Sequence, residues 1–184
     1  MGSGEDPMMA GGGIGGLRGL LCGPLSRLGL GVAAATFLAD QGSKTWLLSV
    51  YDLASKGRVE LLSFLDLVYV INPGISYGLL PQGSATGQVL LALFALAASI
   101  ALAYWIARAG SRLLAVSLGL VLGGALGNGL DRLLIGGVSD FVSLHAGGYY
   151  WYVFNVADAA IVAGVIGLLY DSLFGNRDKA AKSS

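Results

Sequence analysis

Hydrophobic residues in this chain come in long blocks rather than alternating singly with polar ones. A helix that crosses a bilayer needs about 20 mostly apolar residues. Four stretches approach or meet that requirement: Leu25 to Val50, Ala85 to Ala107, Leu113 to Ile135 and Tyr152 to Phe174. The second carries no charge, the first holds Asp40 and Lys44 near its end, the third closes on Asp131 and Arg132, and the fourth contains Asp158. Helices are expected because lipid offers no partner to an unpaired backbone group, and the alternating strands of a closed barrel are absent. Between the first two blocks, Glu60 to Ile71 is rich in β-branched and aromatic residues and ends on the turn residues Asn72-Pro73-Gly74. This predicts a small β-cradle over about 58–80. The expected fold is an all-α membrane protein with four transmembrane helices and an extracytoplasmic β-cradle. Residues 1–24 form a glycine-rich N-terminal segment, 25–174 the transmembrane domain and 175–184 a tail. The Gly-Ser-Gly string within Met1 to Pro7 reads as an added leader and is left out of the fold reasoning.

Composition narrows the class. The chain has 184 residues, 55% hydrophobic and 12% charged, about half the charge of an ordinary soluble domain. Lys plus Arg and Asp plus Glu both number 11, so no basic excess exists for nucleic acid to use. One cysteine, Cys22, cannot close an internal disulfide, and with the lone His145 it cannot build a Cys/His metal site. No cofactor or metal is expected. Arg18 and Arg27, the Arg108/Arg112 link, and Arg177, Lys179 and Lys182 mark one side of the membrane, whereas Gly136 to Trp151 has no lysine or arginine. By the positive-inside rule both termini are cytoplasmic and the two larger loops face outward. Trp151 and Tyr149, Tyr150 and Tyr152 suit a membrane interface. No internal repeat suggests a transporter.

An ionisable residue within a span costs roughly 2.5–3.5 kcal/mol on the mildest scale, and this chain has several at one depth. Asp40 and Lys44 lie four apart on one helical face, which reads first as an ion pair. Asn128, Asp131 and Arg132 end the third span, with Asp131 and Arg132 expected to pair. Asp140 follows in a Gly-flanked loop. Asn155 and Asp158 share a face at the start of the fourth span. Glycines 119, 123, 124 and 127 read as close-packing positions between helices, and His145 as a plain loop residue. Two carboxylates held near each other can share a proton, one acting as base toward water and the other as acid. Asp140 and Asp158 are the natural pair. From spacing alone the same groups also fit helix packing, an ion or proton path, or a scaffold without catalysis.

The motifs decide between these. Asp40-Gln-Gly-Ser-Lys44, Asn72-Pro-Gly74-Ile-Ser-Tyr77, Gly123-Gly-Ala-Leu-Gly-Asn128-Gly-Leu-Asp131-Arg132, Val138-Ser-Asp140-Phe141 and Phe154-Asn155-Val-Ala-Asp158 occur in order over about residues 28–174. Together they resemble the signal peptidase II family, the bacterial lipoprotein signal peptidases. The resemblance implies an intramembrane aspartyl endopeptidase of the cytoplasmic (inner) membrane, with its site near the outer leaflet. Its substrates would be diacylglyceryl-prolipoproteins, cut just before the lipidated cysteine. The catalytic dyad maps to Asp140 and Asp158, with Asn128, Arg132, Asn155, Asp131, Asp40, Lys44, Asn72 and Gly74 around it. Expected partners are substrate, membrane lipids and globomycin-type cyclic peptide inhibitors, and the expected state is a monomer. Tyr77 and Ser139 depart from the family's usual Phe and aliphatic residue, and Pro73 stiffens the cradle turn.

Overall fold

The computed structural model describes residues 22–74 and 84–181, with side chains as far as Phe174. Expectations placed on residues 1–21, on the cradle from 75 to 80 including Tyr77, and on the basic side chains of the tail lie outside the described residues. In chain order, α1 is Ser26–Thr45, closed by one π-helical turn at Trp46–Val50, and α2 is the short Leu53–Lys56. Strands β1 (Val59–Leu62) and β2 (Leu65–Asn72) follow, then α3 (Ala85–Ile106) and α4 (Arg112–Ile135). Strands β3 (Val138–Ala146) and β4 (Tyr149–Phe154) lead into α5 (Val156–Ala181).

The helix starts are local chemistry. Ser84 Oγ accepts from Gly87 N, and Ser111 Oγ accepts from Leu114 N, each at 3.0 Å, which satisfies amides that have no partner within the first turn. The α5 start is a reciprocal capping box: Asp158 N donates to Asn155 Oδ1 at 2.9 Å, and Asn155 N donates to Asp158 Oδ2 at 3.3 Å. Helix α4 stops at Gly136, whose φ of +69° glycine adopts without steric cost.

Helix α4 is the hub, packed by α1, α3 and α5. Its glycines make this possible. A methyl group on Gly119 would strike the Gly29 carbonyl oxygen, on Gly123 the Ala33 carbonyl oxygen, and on Gly127 the Asp40 carboxylate. This seam, spaced every four residues, lets the α1 backbone lie against α4, as membrane helices do when small residues face each other. Gly124 serves the opposite side, where a methyl would meet Ala157 O at 2.6 Å.

All four strands form one antiparallel sheet in the order β1-β2-β3-β4. Phe141, Leu47 and Leu53 form its buried core, with Leu67, Tyr69 and Val156 packed against them. The sheet therefore sits on the π turn of α1 and the first residues of α5. Asp66, 1% exposed, is held by Arg58 Nη1 at 2.6 Å and His145 Nε2 at 3.2 Å.

Four expectations change. The cradle is larger than the 58–80 hairpin, because Gly136 to Trp151 supplies β3 and much of β4; the chain is thus not all-α. Asp140 lies on β3, paired across to Val70, instead of in a loop. The fourth apolar block is cut at Asn155: Tyr152 to Phe154 finish β4, and the helix begins at Val156. His145 is a strand residue bound to Asp66. Ala85–Ile106, Arg112–Ile135 and Val156–Phe174 are long and apolar enough to cross a membrane. Helix α1 has the length, 20 residues, but its polar positions keep it out of that set.

Gly123→Ala is expected to lower the detergent melting temperature by about 2–8 °C, the shift for roughly 1–2 kcal/mol in a chain near this size. Gly42, exposed on α1 with nothing within 4 Å of an added methyl, provides the contrast: Gly42→Ala should leave melting unchanged or raise it, since Ala is favoured over Gly in a helix by roughly 0.5–1 kcal/mol. Indistinguishable melts would show that the seam does not set the α1–α4 spacing.

Candidate active site

Lys44 is the centre of the polar cluster. Buried at 4% exposure, its Nζ lies 2.7 Å from Asp40 Oδ2, 2.9 Å from Asp131 Oδ2 and 3.3 Å from Asn128 Oδ1. Gln41 Nε2 also donates to both carboxylates, at 3.1 Å to Asp40 and 3.0 Å to Asp131. The expected pairing of Asp131 with Arg132 is therefore corrected: Asp131 pairs with Lys44. Consecutive residues of a helix point about 100° apart and do not face each other. Arg132 turns the other way, and its Nη1 donates to the Asn128 carbonyl at 3.0 Å.

The two carboxylates have free lone pairs, and they use them on backbone. Ala157 N donates to Asp40 Oδ1 at 3.0 Å, and Ser139 N donates to Asp131 Oδ2 at 2.9 Å. Ala157 immediately precedes Asp158, and Ser139 immediately precedes Asp140. The buried ion cluster thus grips the chain one residue before each candidate acid.

Asparagines then aim the side chains. Asn155, fully buried, donates from Nδ2 to Asp140 Oδ1 at 2.7 Å and to Asn128 Oδ1 at 3.1 Å. Asn128 Nδ2 donates to Asp158 Oδ1 at 2.8 Å. Asn72 Nδ2 donates to Asp140 Oδ2 at 3.0 Å, while its Oδ1 accepts from Gly74 N at 2.8 Å. Asp140 and Asp158 are hence bridged through Asn155, which bonds one with its amide and caps the other. Gly74 has a φ of +59°, a conformation that favours glycine, and a methyl there would meet Arg132 Nη2 at 2.9 Å.

Burial pushes the Asp140 carboxyl up to about 6 from its ordinary value of 3.8. The charge of Asp158 adds to the rise, while the amides of Asn72 and Asn155 and the ammonium of Lys44 oppose it. A carboxyl in this range can hold a proton at a pH where an ordinary aspartate has lost it.

Space is available beside these groups. A cavity of about 790 Å³ has Asn128, Arg132, Asp158 and Gly74 at one end and apolar side chains such as Leu91 and Phe94 along it. A second, of about 320 Å³, is lined by Asp140, Val70 and Trp151. Asn72, Pro73 and Tyr152 line both. Among the described residues no group of three or more His, Cys, Asp or Glu could hold a metal ion. All ten residues singled out from the sequence belong to this one neighbourhood. Sequence reasoning missed Gln41, although it stands inside the first motif, and it had no periodicity that would reveal the backbone groups of Ser139 and Ala157 as partners.

Known proteins share this chain's sequence and fold. The family described as Signal peptidase (SPase) II matches residues 32–174. The lipoprotein signal peptidase of Methylobacterium sp. (strain 4-46) is 55% identical over 147 residues, covering 80% of this chain and 89% of that protein. That of Methylorubrum extorquens (strain PA1) is 56% identical over 147 residues, covering 80% and 86%. A bacterial membrane enzyme solved by the in meso method at 2.3 Å superposes with a TM-score of 0.68 at 27% identity, covering 83% of this chain and 91% of the other. The chain belongs to the signal peptidase II family.

Proposed function

We propose that this chain is an intramembrane aspartyl endopeptidase that removes signal peptides from prolipoproteins, cutting before a cysteine that carries diacylglycerol. The observation that carries the reading is that Asn155 joins two carboxylates, its side-chain amide donating to Asp140 and its backbone N–H to Asp158, and that each carboxylate is oriented by a second asparagine. Asp140, with its raised carboxyl, supplies the proton, and Asp158 accepts one. Water attacks the scissile carbonyl carbon as Asp158 takes its proton, and Asp140 donates to the carbonyl oxygen, giving a neutral tetrahedral gem-diol. Asp158 then passes its proton to the amide nitrogen while Asp140 takes one back from a hydroxyl of the gem-diol; the carbon–nitrogen bond breaks, a carboxylic acid and an amine leave, and the pair again holds one proton. Neither step needs a metal, serine or cysteine.

The location follows the same logic. Helix α1 spans about 30 Å at 1.5 Å per residue, enough to cross with the three apolar helices, because Lys44 offsets the charge of its carboxylate partners. We read four transmembrane helices, both termini cytoplasmic, in the bacterial inner membrane, with the sheet on the outer side and the dyad near the outer leaflet. An acyl-anchored cysteine holds its adjoining peptide bond at that depth. The apolar wall of the larger cavity suits the signal segment, and globomycin-type cyclic peptides would compete for it. Membrane lipids surround a monomer.

Cleavage of a diacylglyceryl-modified prolipoprotein in detergent tests the dyad. Asp140→Asn and Asp158→Asn, each checked for folding, are expected to lower kcat by about 10²–10⁴-fold, the usual worth of a positioned acid or base. Full activity in either folded variant would remove that residue from the chemistry.

The pH dependence has a fixed sign. The active form keeps one proton on the pair, and that proton is lost as pH rises through the raised Asp140 value, about 6. The kcat/KM profile is expected to fall on the alkaline side with an apparent pKa near 6 that belongs to the coupled pair. Asn72→Ala removes a hydrogen bond that favours the ionised carboxylate, so that limb should move to higher pH. A move to lower pH would contradict the assignment of the proton to Asp140.

A further inference from the structure

Gln88 lies in the first turn of α3 and carries no part of the chemistry described above. It is 4% exposed, and its Nε2 donates to the carbonyl oxygen of Pro73 at 2.6 Å. Its Oε1 is buried with no hydrogen-bond partner among the described residues. The side chain therefore buries a polar amide for a single bond, and that bond is to the turn that carries Asn72.

Among the described residues, the turn has few other holds past the pairing of Asn72 with Val138. Pro73 has no backbone N–H to donate. Gly74 N is already taken by Asn72 Oδ1. The Pro73 carbonyl is the group left for a neighbouring element to seize, and Gln88 seizes it. On the other side the Arg132 guanidinium lies against Gly74. The turn is thus clamped between α3 and α4, and Asn72 Nδ2 is left pointing at Asp140 Oδ2. Because Asn72 Oδ1 faces a donor and its Nδ2 faces a carboxylate, the amide has one sensible orientation, and a shift of the turn would misalign both bonds.

We propose that Gln88 is a positioning residue for the peptidase reaction: through the Pro73 carbonyl it holds the Asn72 to Gly74 turn so that the Asn72 amide stays on Asp140. This rests on the reading of Asp140 as one of the two acting carboxylates. Removal of the Gln88 donor frees the turn, weakens the Asn72 bond to Asp140 and leaves the ionised carboxylate less supported. The consequence is lower turnover together with a displaced proton equilibrium, which a purely structural role would not produce.

The test uses the full chain in detergent with a diacylglyceryl-prolipoprotein substrate and Asp140→Asn as a control. Gln88→Met keeps length and removes the donor. It is expected to lower kcat roughly tenfold with KM within about twofold, and to move the alkaline limb of kcat/KM to higher pH, as Asn72→Ala does. Gln88→Glu restores a donor only when its carboxyl is protonated, so its activity relative to wild type should climb as pH falls. This second variant also serves if Gln88→Met does not fold. A folded Gln88→Met with wild-type kcat and an unmoved limb overturns the proposal, as does a Gln88→Glu whose activity relative to wild type is flat with pH. An active Asp140→Asn would instead sink the assignment of the dyad, whatever the Gln88 variants do.

Discussion

One buried ammonium organises this molecule. Lys44 sits between Asp40 and Asp131, which come from helices α1 and α4, at depths where a lone charge is costly. A buried ion pair is weak evidence for stability in itself, since desolvation opposes attraction, but deleting one partner leaves the other uncompensated at a cost of about 3–5 kcal/mol. What this cluster secures is geometry. Each carboxylate has one oxygen facing Lys44 and hands a lone pair to a backbone amide, Asp40 to Ala157 and Asp131 to Ser139. Those amides begin α5 and lie in β3, next to Asp158 and Asp140. Helix packing, strand placement and the Asp140 and Asp158 carboxylates are thereby linked through a few hydrogen bonds.

The glycine seam on α4 is the condition for that linkage. The Asp40 carboxylate lies where a side chain on Gly127 would be, so Asp40 reaches its partners only because α1 and α4 approach to backbone contact. Small residues are thus used here twice, for van der Waals packing and to admit a charged group between two helices.

The site above it is poised by opposing influences. Burial raises the Asp140 carboxyl, and the amides of Asn72 and Asn155 hold the rise in check. Asparagine suits this role because its amide donates to a carboxylate without adding charge. Asn155 does more: it caps the helix that carries Asp158 and bonds Asp140 at the same time, so the start of α5 and the spacing of the two acids are one structural fact.

Much of this was legible along the chain. Long apolar blocks announced the membrane helices, since lipid leaves no other way to satisfy the backbone. Polar residues inside those blocks announced a site, because their burial is too costly to be idle, and five ordered motifs named the family. Local patterns misled where two rules compete. Tyr152 to Phe154 is apolar enough to extend a span, yet strand pairing with β3 claims it, and the Asn155 to Asp158 capping box marks the true helix start. The neighbour of Asp131 in sequence, Arg132, is not its partner in space, because a helix turns successive side chains apart. The sequence by itself determined the class of protein, its family, and the number of apolar helices to within the polar first one. Only the tertiary structure decided which carboxylate meets which cation, that Asp140 arrives on a strand, and that Gln88 holds the turn of Asn72. The pairings decided in this way, Asp131 with Lys44, Asp140 across from Val70 and Gln88 with Pro73, join residues 15 to 87 positions apart, and no periodicity along a chain encodes contacts that depend on how separate elements pack.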